Sequence, residues 1–332
     1  MIKTPYFIAD RLIFISLFGQ FQMDALTEVL KAVQLHSTVH CRSEFSAPWG
    51  VQIERTDYAS FHVVTRGNCW LEVEGFKTPI PLTGGDLIVL PTGVAHILRD
   101  ALDSPIVPLA ELLANRPCQG QLTLSYGGGG NPAMILCGRA SFEERERNPL
   151  LAALPPLIHI KGEEGQAVEW LDTTLQFIAC ECYLNHPGAE MMITYLSSIL
   201  FIQAVRAYIT NLPESAGGWL QALIDPHISV ALGMIHQHPE AAWTVELLAK
   251  QVNLSRSAFA ARFKSLVGEA PLQYVIRWRM YKAVQLLRST NKTLKEVAES
   301  IGYESEAAFS RAFKRQMEHS PGAYRHLTVK AD

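Results

Sequence analysis

The chain has 332 residues, 48% hydrophobic and 18% charged, which is long enough for two domains and too apolar for a disordered tail. A net charge of −3 over the whole chain argues against a nucleic-acid binder, but that figure is an average. Residues 1–220 hold 14 basic and 22 acidic side chains and residues 221–332 hold 15 and 10, so an acidic body carries a basic C-terminal third.

Residues 1–22 include an apolar run, Leu12 to Phe18, preceded by Asp10 and Arg11. The run is too short to span a membrane, and no small-residue cleavage site follows it. The segment is expected to be an appended or mis-started extension, with the first helix beginning at Met23. Six cysteines (Cys41, Cys69, Cys118, Cys137, Cys180 and Cys182) are too sparse for a disulfide framework and form no C-x-x-C pair. Reduced thiols and a cytoplasmic location are expected.

Residues 36–140 carry short β-branched or aromatic runs such as Trp49-Gly-Val-Gln-Ile, Phe61-His-Val-Val-Thr, Cys69-Trp-Leu-Glu-Val and Asp86-Leu-Ile-Val-Leu, punctuated by Gly, Pro and Asn. That spacing predicts a β sandwich or barrel. Residues 150–213 turn helical: Leu171, Leu175 and Ile178, then Leu196, Leu200, Val205 and Tyr208, recur at helical intervals. The apolar stretch Met191 to Ile209 includes Gln203 and Arg206, and reads as a buried or partner-facing helix rather than a membrane span. Asn211 to Gly218 reads as a linker, and everything from Asp225 onward as short helices.

The C-terminal third contains an internal repeat. Val245, Leu248, Ala249, Val252 and Leu254 match Leu294, Val297, Ala298, Ile301 and Tyr303 at one offset. After one extra residue in the turn, Ser255, Phe259, Phe263 and Lys264 match Ser305, Phe309, Phe313 and Lys314, and each unit ends in Pro-x-x-Tyr. Each unit predicts a helix–turn–helix. A Thr cap opens the first helix, Asn253 or Gly302 serves the turn, and Ser255 or Ser305 caps the second helix. Phe259 and Phe263, or Phe309 and Phe313, lie inside. Between the units, Leu272 to Arg288 predicts one helix with Val275, Ala283, Leu286 and Leu287 inside and Arg277, Arg279, Lys282 and Arg288 outside. A connector of that length spans about 25 Å, enough to hold two recognition helices roughly one DNA turn apart.

This segment resembles the AraC/XylS family DNA-binding domain. The resemblance rests on Leu254-Ser-Arg-Ser-Ala-Phe, Phe263-Lys, Gly268-Glu-Ala-Pro-Leu-Gln-Tyr, Val297-Ala-Glu-Ser-Ile-Gly-Tyr, Phe309-Ser-Arg-Ala-Phe-Lys-Arg and Ser320-Pro-Gly-Ala-Tyr-Arg. It implies two recognition helices in successive major grooves. The implied contact positions are Arg256, Ser257, Ala260 and Ala261 in the first, and Glu306, Ala307, Ser310 and Arg311 in the second. The family often has Arg where this chain has Ala261, so base readout by the first helix is expected to be weaker or to be served by Arg256, with Arg262 adjacent but turned away by about 100°. Arg311 fits a bidentate contact to guanine, while Lys264, Lys314 and Arg315 are expected at phosphates.

In the β-rich part, Gly85-Asp-Leu-Ile-Val-Leu-Pro-Thr-Gly-Val-Ala-His96 resembles the second cupin motif in full. The first motif is partial: Phe61-His62 precedes Gly67 without the usual second His and Glu. Residues 24–210 resemble the cupin-type sensor half of one branch of AraC-like regulators. The fold expected is therefore α+β multidomain. A jelly-roll sensor occupies residues 23–150, a helical and dimerising segment 151–215, and an all-α tandem helix–turn–helix domain 216–332.

His62 and His96 are the candidate ligands for a divalent metal in the barrel. They also join Cys41, Cys69 and Cys137 as candidates for ligand or redox sensing, because a thiol beside a positive group ionises and oxidises more readily. The Gly127–Gly130 run lacks the Gly-Lys-Ser/Thr of a phosphate loop, and no catalytic constellation stands out. The expected function is a DNA-binding transcription regulator, not an enzyme, whose cupin-like domain senses a small molecule or a redox or metal signal. Its expected partners are double-stranded DNA, the effector, RNA polymerase and a second copy of the chain, with no membrane. The alternative is a metal-dependent cupin enzyme fused to a DNA-binding domain.

Overall fold

The computed structural model describes residues 25–33, 36–115, 123–142, 149–162, 168–184, 186–213 and 218–328. The expected extension over residues 1–22 lies outside them. The chain divides into two compact units: a β unit over 33–221, and a helical unit in which residues 25–32 join those from 222 onward.

The β unit is two facing sheets. In chain order its strands are β1 (His36–Ser46), β2 (Gly50–Ile53), β3 (Ala59–Arg66), β4 (Asn68–Val73), β5 (Ile80–Thr83), β6 (Leu87–Leu90), β7 (His96–Arg99), β8 (Val107–Pro108), β9 (Thr123–Gly127), β10 (Pro132–Ser141) and β11 (Ile158–Ile160). One sheet runs β11-β6-β3-β10-β1-β9 and the other β5-β4-β7-β2-β8. Between them pack Phe45, Trp49, Val51, Val64, Cys69, Leu71, Ile88, Leu98 and Ile135.

The two sheets differ in how they meet water. β4 alternates buried and half-buried residues, as a strand with one wet face does. β6 is buried at all four positions and β3 at its first six, and of a helix pair one member packs on β1, β6, β10 and β11 of their sheet. That pair is α4 (Val168–Leu184) and α5 (Ala189–Thr210). It explains the unbroken apolar run Leu87 to Leu90. Two short helices, α2 (Leu109–Asn115) and α3 (Pro149–Ala153), complete the unit. Among the described residues, α5 alone is long and apolar enough to cross a membrane; here it packs on β1 and α4. β11 falls in the segment expected to be wholly helical. Ile158 and Ile160 bury one face of it and pair it to β6.

The short helix α6 (Gly218–Ala222) closes the β unit, and the helical unit then runs through α7 (Ile228–Gln237), α8 (Val245–Gln251), α9 (Arg256–Val267), α10 (Pro271–Ser289), α11 (Leu294–Ser300), α12 (Glu306–Met317) and α13 (Pro321–Thr328). The expected helix from Met23 is α1 (Ala25–Val33), but it differs from the expectation in its allegiance. Ala25, Leu26 and Val29 bury one stripe, the backbone of Ala25 lies by His236, and Glu28 and Lys31 lie within electrostatic reach of Lys282. Residues 25–32 thus complete the helical core rather than open the β unit.

Candidate nucleic-acid interface and sensor site

The repeat in the sequence is a repeat in space. Thr244 accepts a hydrogen bond from the Leu247 N–H, and Thr293 forms a full capping box with Glu296. Asn253 takes φ 55° in the first turn and Gly302 takes 79° in the second. A Cβ at Gly302 would sit 2.5 Å from the Glu240 carbonyl, so packing as well as backbone requires glycine there. Ser255 and Ser305 cap α9 and α12 by accepting from Ala258 and Ala308. Inside, Phe259 and Phe263 lie 5.6 Å apart and Phe309 and Phe313 5.5 Å. Tyr274 meets Phe263 edge-on at 5.7 Å, and Tyr324 meets Phe313 at 5.6 Å. The paired Pro-x-x-Tyr signatures therefore each seal one aromatic cluster.

α10 is enclosed on more of its circumference than expected. Of the four cations read as outward, Arg279 donates to the carbonyls of Pro239 and Ala241, at 2.7 and 2.8 Å. Burial lowers the Lys282 pKa, Arg277 pairs with Glu269 at 2.6 Å, and Arg288 lies over the Tyr324 ring. These side chains hold the unit together; the connector is its core.

On α9, Arg256, Ser257, Ala261 and Lys264 are exposed and Ala260 half-buried. On α12, Glu306, Ala307, Arg311, Lys314 and Arg315 are exposed and Ser310 half-buried. The candidate contact positions of each helix thus share one outward face. Arg256 pairs with Glu246 at 2.5 Å, both side chains well exposed. Arg262 is a different case from the one its sequence position suggests. Its Nε and Nη2 donate to Asp225 Oδ2 at 2.8 and 2.6 Å. Among the described residues, Arg311, Lys314, Arg315 and Lys264 are in no ion pair.

In the β unit, strand register places His62 directly opposite Cys137. His62 Nδ1 lies 3.3 Å from Cys137 Sγ, and its Nε2 lies 2.8 Å from His96 Nε2. The Val94 carbonyl can only accept, so His96 Nδ1, 2.9 Å away, carries its hydrogen. His96 Nε2 then accepts from His62 Nε2–H, and His62 Nδ1 accepts from the Cys137 S–H. Ser43 Oγ, 3.8 Å from Cys137 Sγ, extends the chain. Every ring nitrogen is satisfied without charge. Burial, and then His96, pushes the His62 pKa well down; burial pushes His96 to about 4, opposed by the Val94 bond.

The cupin motif that delivers His96 is built by close approach. Gly93 takes φ 61°, and a Cβ there would sit 2.3 Å from the Tyr58 carbonyl. Asp86 accepts from the Thr83 and Gly162 N–H groups and from His159 Nε2.

A resident cupin metal needs three or four converging ligands. Here two imidazoles converge, joined to each other by a hydrogen bond, and the described residues hold no group of three His, Cys, Asp or Glu placed for a metal. The set does not fit a metal centre. Cys69 is buried, and burial, Cys137 and Asp86 push its pKa up to about 12, so it stays a thiol. Cys41 lies opposite Cys137 on β1, and its side chain is outside the described residues. Two features escaped the sequence: the Asp225 partner of Arg262, which is 37 positions away, and the hydrogen-bonded order of the thiol and two imidazoles.

Comparison with known proteins agrees with both halves. The cupin family matches residues 24–210 and a helix–turn–helix domain family matches 248–326. The transcriptional regulator AlkR of Acinetobacter baylyi is 34% identical over 305 residues, covering 91% of this chain and 99% of that protein. An AraC-like transcription regulator of Streptomyces lividans is 34% identical over 312 residues, covering 92% and 100%. The solved DNA-binding domain of AdpA, in complex with a target DNA, is 38% identical, covering 31% of this chain and 92% of that one with a TM-score of 0.30. This chain belongs to the AraC-like family of helix–turn–helix, DNA-binding transcription regulators with an N-terminal cupin domain.

Proposed function

We propose that the protein reads two successive major grooves with α9 and α12, and that a chemical signal received in the β unit sets this reading. The DNA half is supported by the matching outward faces of the two helices. Among the described residues, Arg311 is in no ion pair and can reach a guanine edge, Arg256 is in one exposed pair of little energy, and Lys264, Lys314 and Arg315 are in no ion pair and can reach phosphates.

For the sensor, the carrying observation is the chain Cys137–His62–His96 inside an apolar sandwich. An ordered, neutral polar chain in a core changes its bonding when its thiol is oxidised or a small ligand intervenes. The exposed apolar residues Phe177, Met191, Met192, Tyr195 and Ile199 on α4 and α5 support pairing with a second copy, and hence paired half-sites on DNA. RNA polymerase as a partner and the cytoplasm as location belong to the same reading.

The test is DNA binding by the wild type, Cys41→Ser and Cys137→Ser, each with and without hydrogen peroxide and divalent metals. A response abolished by Cys137→Ser supports the site, and one that survives the substitution removes Cys137 from it. A flat response throughout points to an organic ligand. Light scattering that finds a monomer at micromolar concentration ends the dimer reading.

A further inference from the structure

Asp225 is an acid in the DNA-reading unit, and its bonds explain why it is there. The chain enters this unit at Ala222, and Asp225 follows before α7 begins. One carboxylate oxygen, Oδ1, accepts from the backbone N–H groups of His227 and Ile228 at 3.0 and 2.9 Å, closing the N-terminus of α7. The other, Oδ2, takes both Nε and Nη2 of Arg262 from α9. The side chain of Asp225 is 6% exposed, whereas that of Arg262 is 48% exposed. One buried carboxylate therefore ties the helix that leads into the unit to a helix expected at the DNA. The second helix–turn–helix has no counterpart, because the position matching Arg262 in the repeat is Ala312, half-buried against the core.

We propose that Asp225 is the positioning residue of the first recognition helix. Through Arg262 it fixes the rotation and tilt of α9 relative to α7, and it withholds the Arg262 cation from DNA phosphate. This rests on α9 being a DNA-reading helix. Two guanidinium donors converging on one carboxylate oxygen, whose partner oxygen is held by the α7 backbone, are directional, so they fix orientation as well as distance. Coulombic reasoning alone predicts that losing an acid strengthens DNA binding. Positioning predicts the reverse for specific binding.

The experiment uses the full chain and a duplex that the wild-type protein selects from random-sequence DNA, with footprinting and a salt titration. Asp225→Asn retains an acceptor for the α7 N–H groups and loosens the fork. Its specific affinity should fall about tenfold, the scale of one charged hydrogen-bonded pair. Protection should be lost over the α9 half-site and kept over the α12 half-site. Its non-specific binding should gain about one unit of salt slope, because Arg262 is freed for a phosphate. Arg262→Ala, whose side chain is half-exposed and tolerant of truncation, should lose the same half-site without the gain in slope. The double variant should match Arg262→Ala rather than sum the two losses.

Unchanged or tighter specific binding by Asp225→Asn, with both half-sites protected, would overturn the proposal. So would an unchanged salt slope. Arg256→Glu separates the two failures. If it removes α9 protection while Asp225→Asn does not, only the positioning role falls; if it too leaves protection intact, α9 is not at the DNA and both readings fall.

Discussion

The two helix–turn–helix units share an interior and differ in their cations. Each is sealed by two phenylalanines and a tyrosine in nearly the same geometry. On the outside, the first pairs Arg256 with Glu246 and Arg262 with Asp225, leaving Lys264. The second leaves Arg311, Lys314 and Arg315 without ion pairs among the described residues and has Glu306 where the first has Arg256. Repetition of the core fixes the fold twice. If α9 and α12 read DNA as proposed, divergence of the surface gives most of the phosphate and guanine attraction to α12 and makes α9 depend on how it is held.

The largest test of that contrast is in the shared interior. Phe259→Ala and Phe309→Ala should each destabilise the helical unit by about 3–5 kcal/mol, with similar urea midpoints. A large difference between them would show that the two cores are not equivalent.

Acid should separate the two halves. His236 stacks on Trp278 at 3.9 Å and bonds Tyr274 at 2.7 Å in the first half. Burial lowers its pKa to about 3, helped by Lys282 and Arg277 and opposed by the Ala25 backbone. An unfolded histidine takes its proton near the ordinary 6.5, so the unfolded chain binds more protons between these values. Stability is therefore full above about pH 6.5 and is lost as pH falls toward 3, by at most about 1.4 kcal/mol per pH unit for this group. Amide exchange at pH 7 and pH 5 should show α9 losing protection before α12. Equal loss, or none, would remove His236 as the cause.

Arg311→Ala should cost about 1–3 kcal/mol of sequence discrimination while leaving salt-dependent binding in place, read by competition with non-specific DNA. The matched substitution at Arg256 should cost less, because that guanidinium must first leave Glu246. The smallest effect is at the caps. Ser255→Ala and Ser305→Ala should each cost about 1 kcal/mol in thermal melts, and a cost confined to one would mark a difference in how the two turns are stabilised.

Much of this was legible in the sequence because it is local. The caps, turn residues, phenylalanine spacing and cupin glycines each act within a few positions of themselves. What was not legible depends on partners far along the chain. Arg262 reads as an outward cation until Asp225 is seen beneath it, and Arg279 until its two carbonyl partners are. Strand register sets Cys137 opposite His62, and His96 reaches His62 from a strand of the facing sheet, a meeting that no local pattern announces. Helix α1 shows an apolar stripe, but a nine-residue stripe does not say which core it serves.

That helix changes what the β unit is to the rest of the molecule. With residues 25–32 built into the helical unit on one side of it and residues from 222 on the other, the cupin is a guest inserted into a host fold. A graft of a new sensor onto this reader therefore has two seams to match, near 32–33 and near 221–222. A fragment that starts at the second seam is not the whole host: it lacks the stripe of Ala25, Leu26 and Val29.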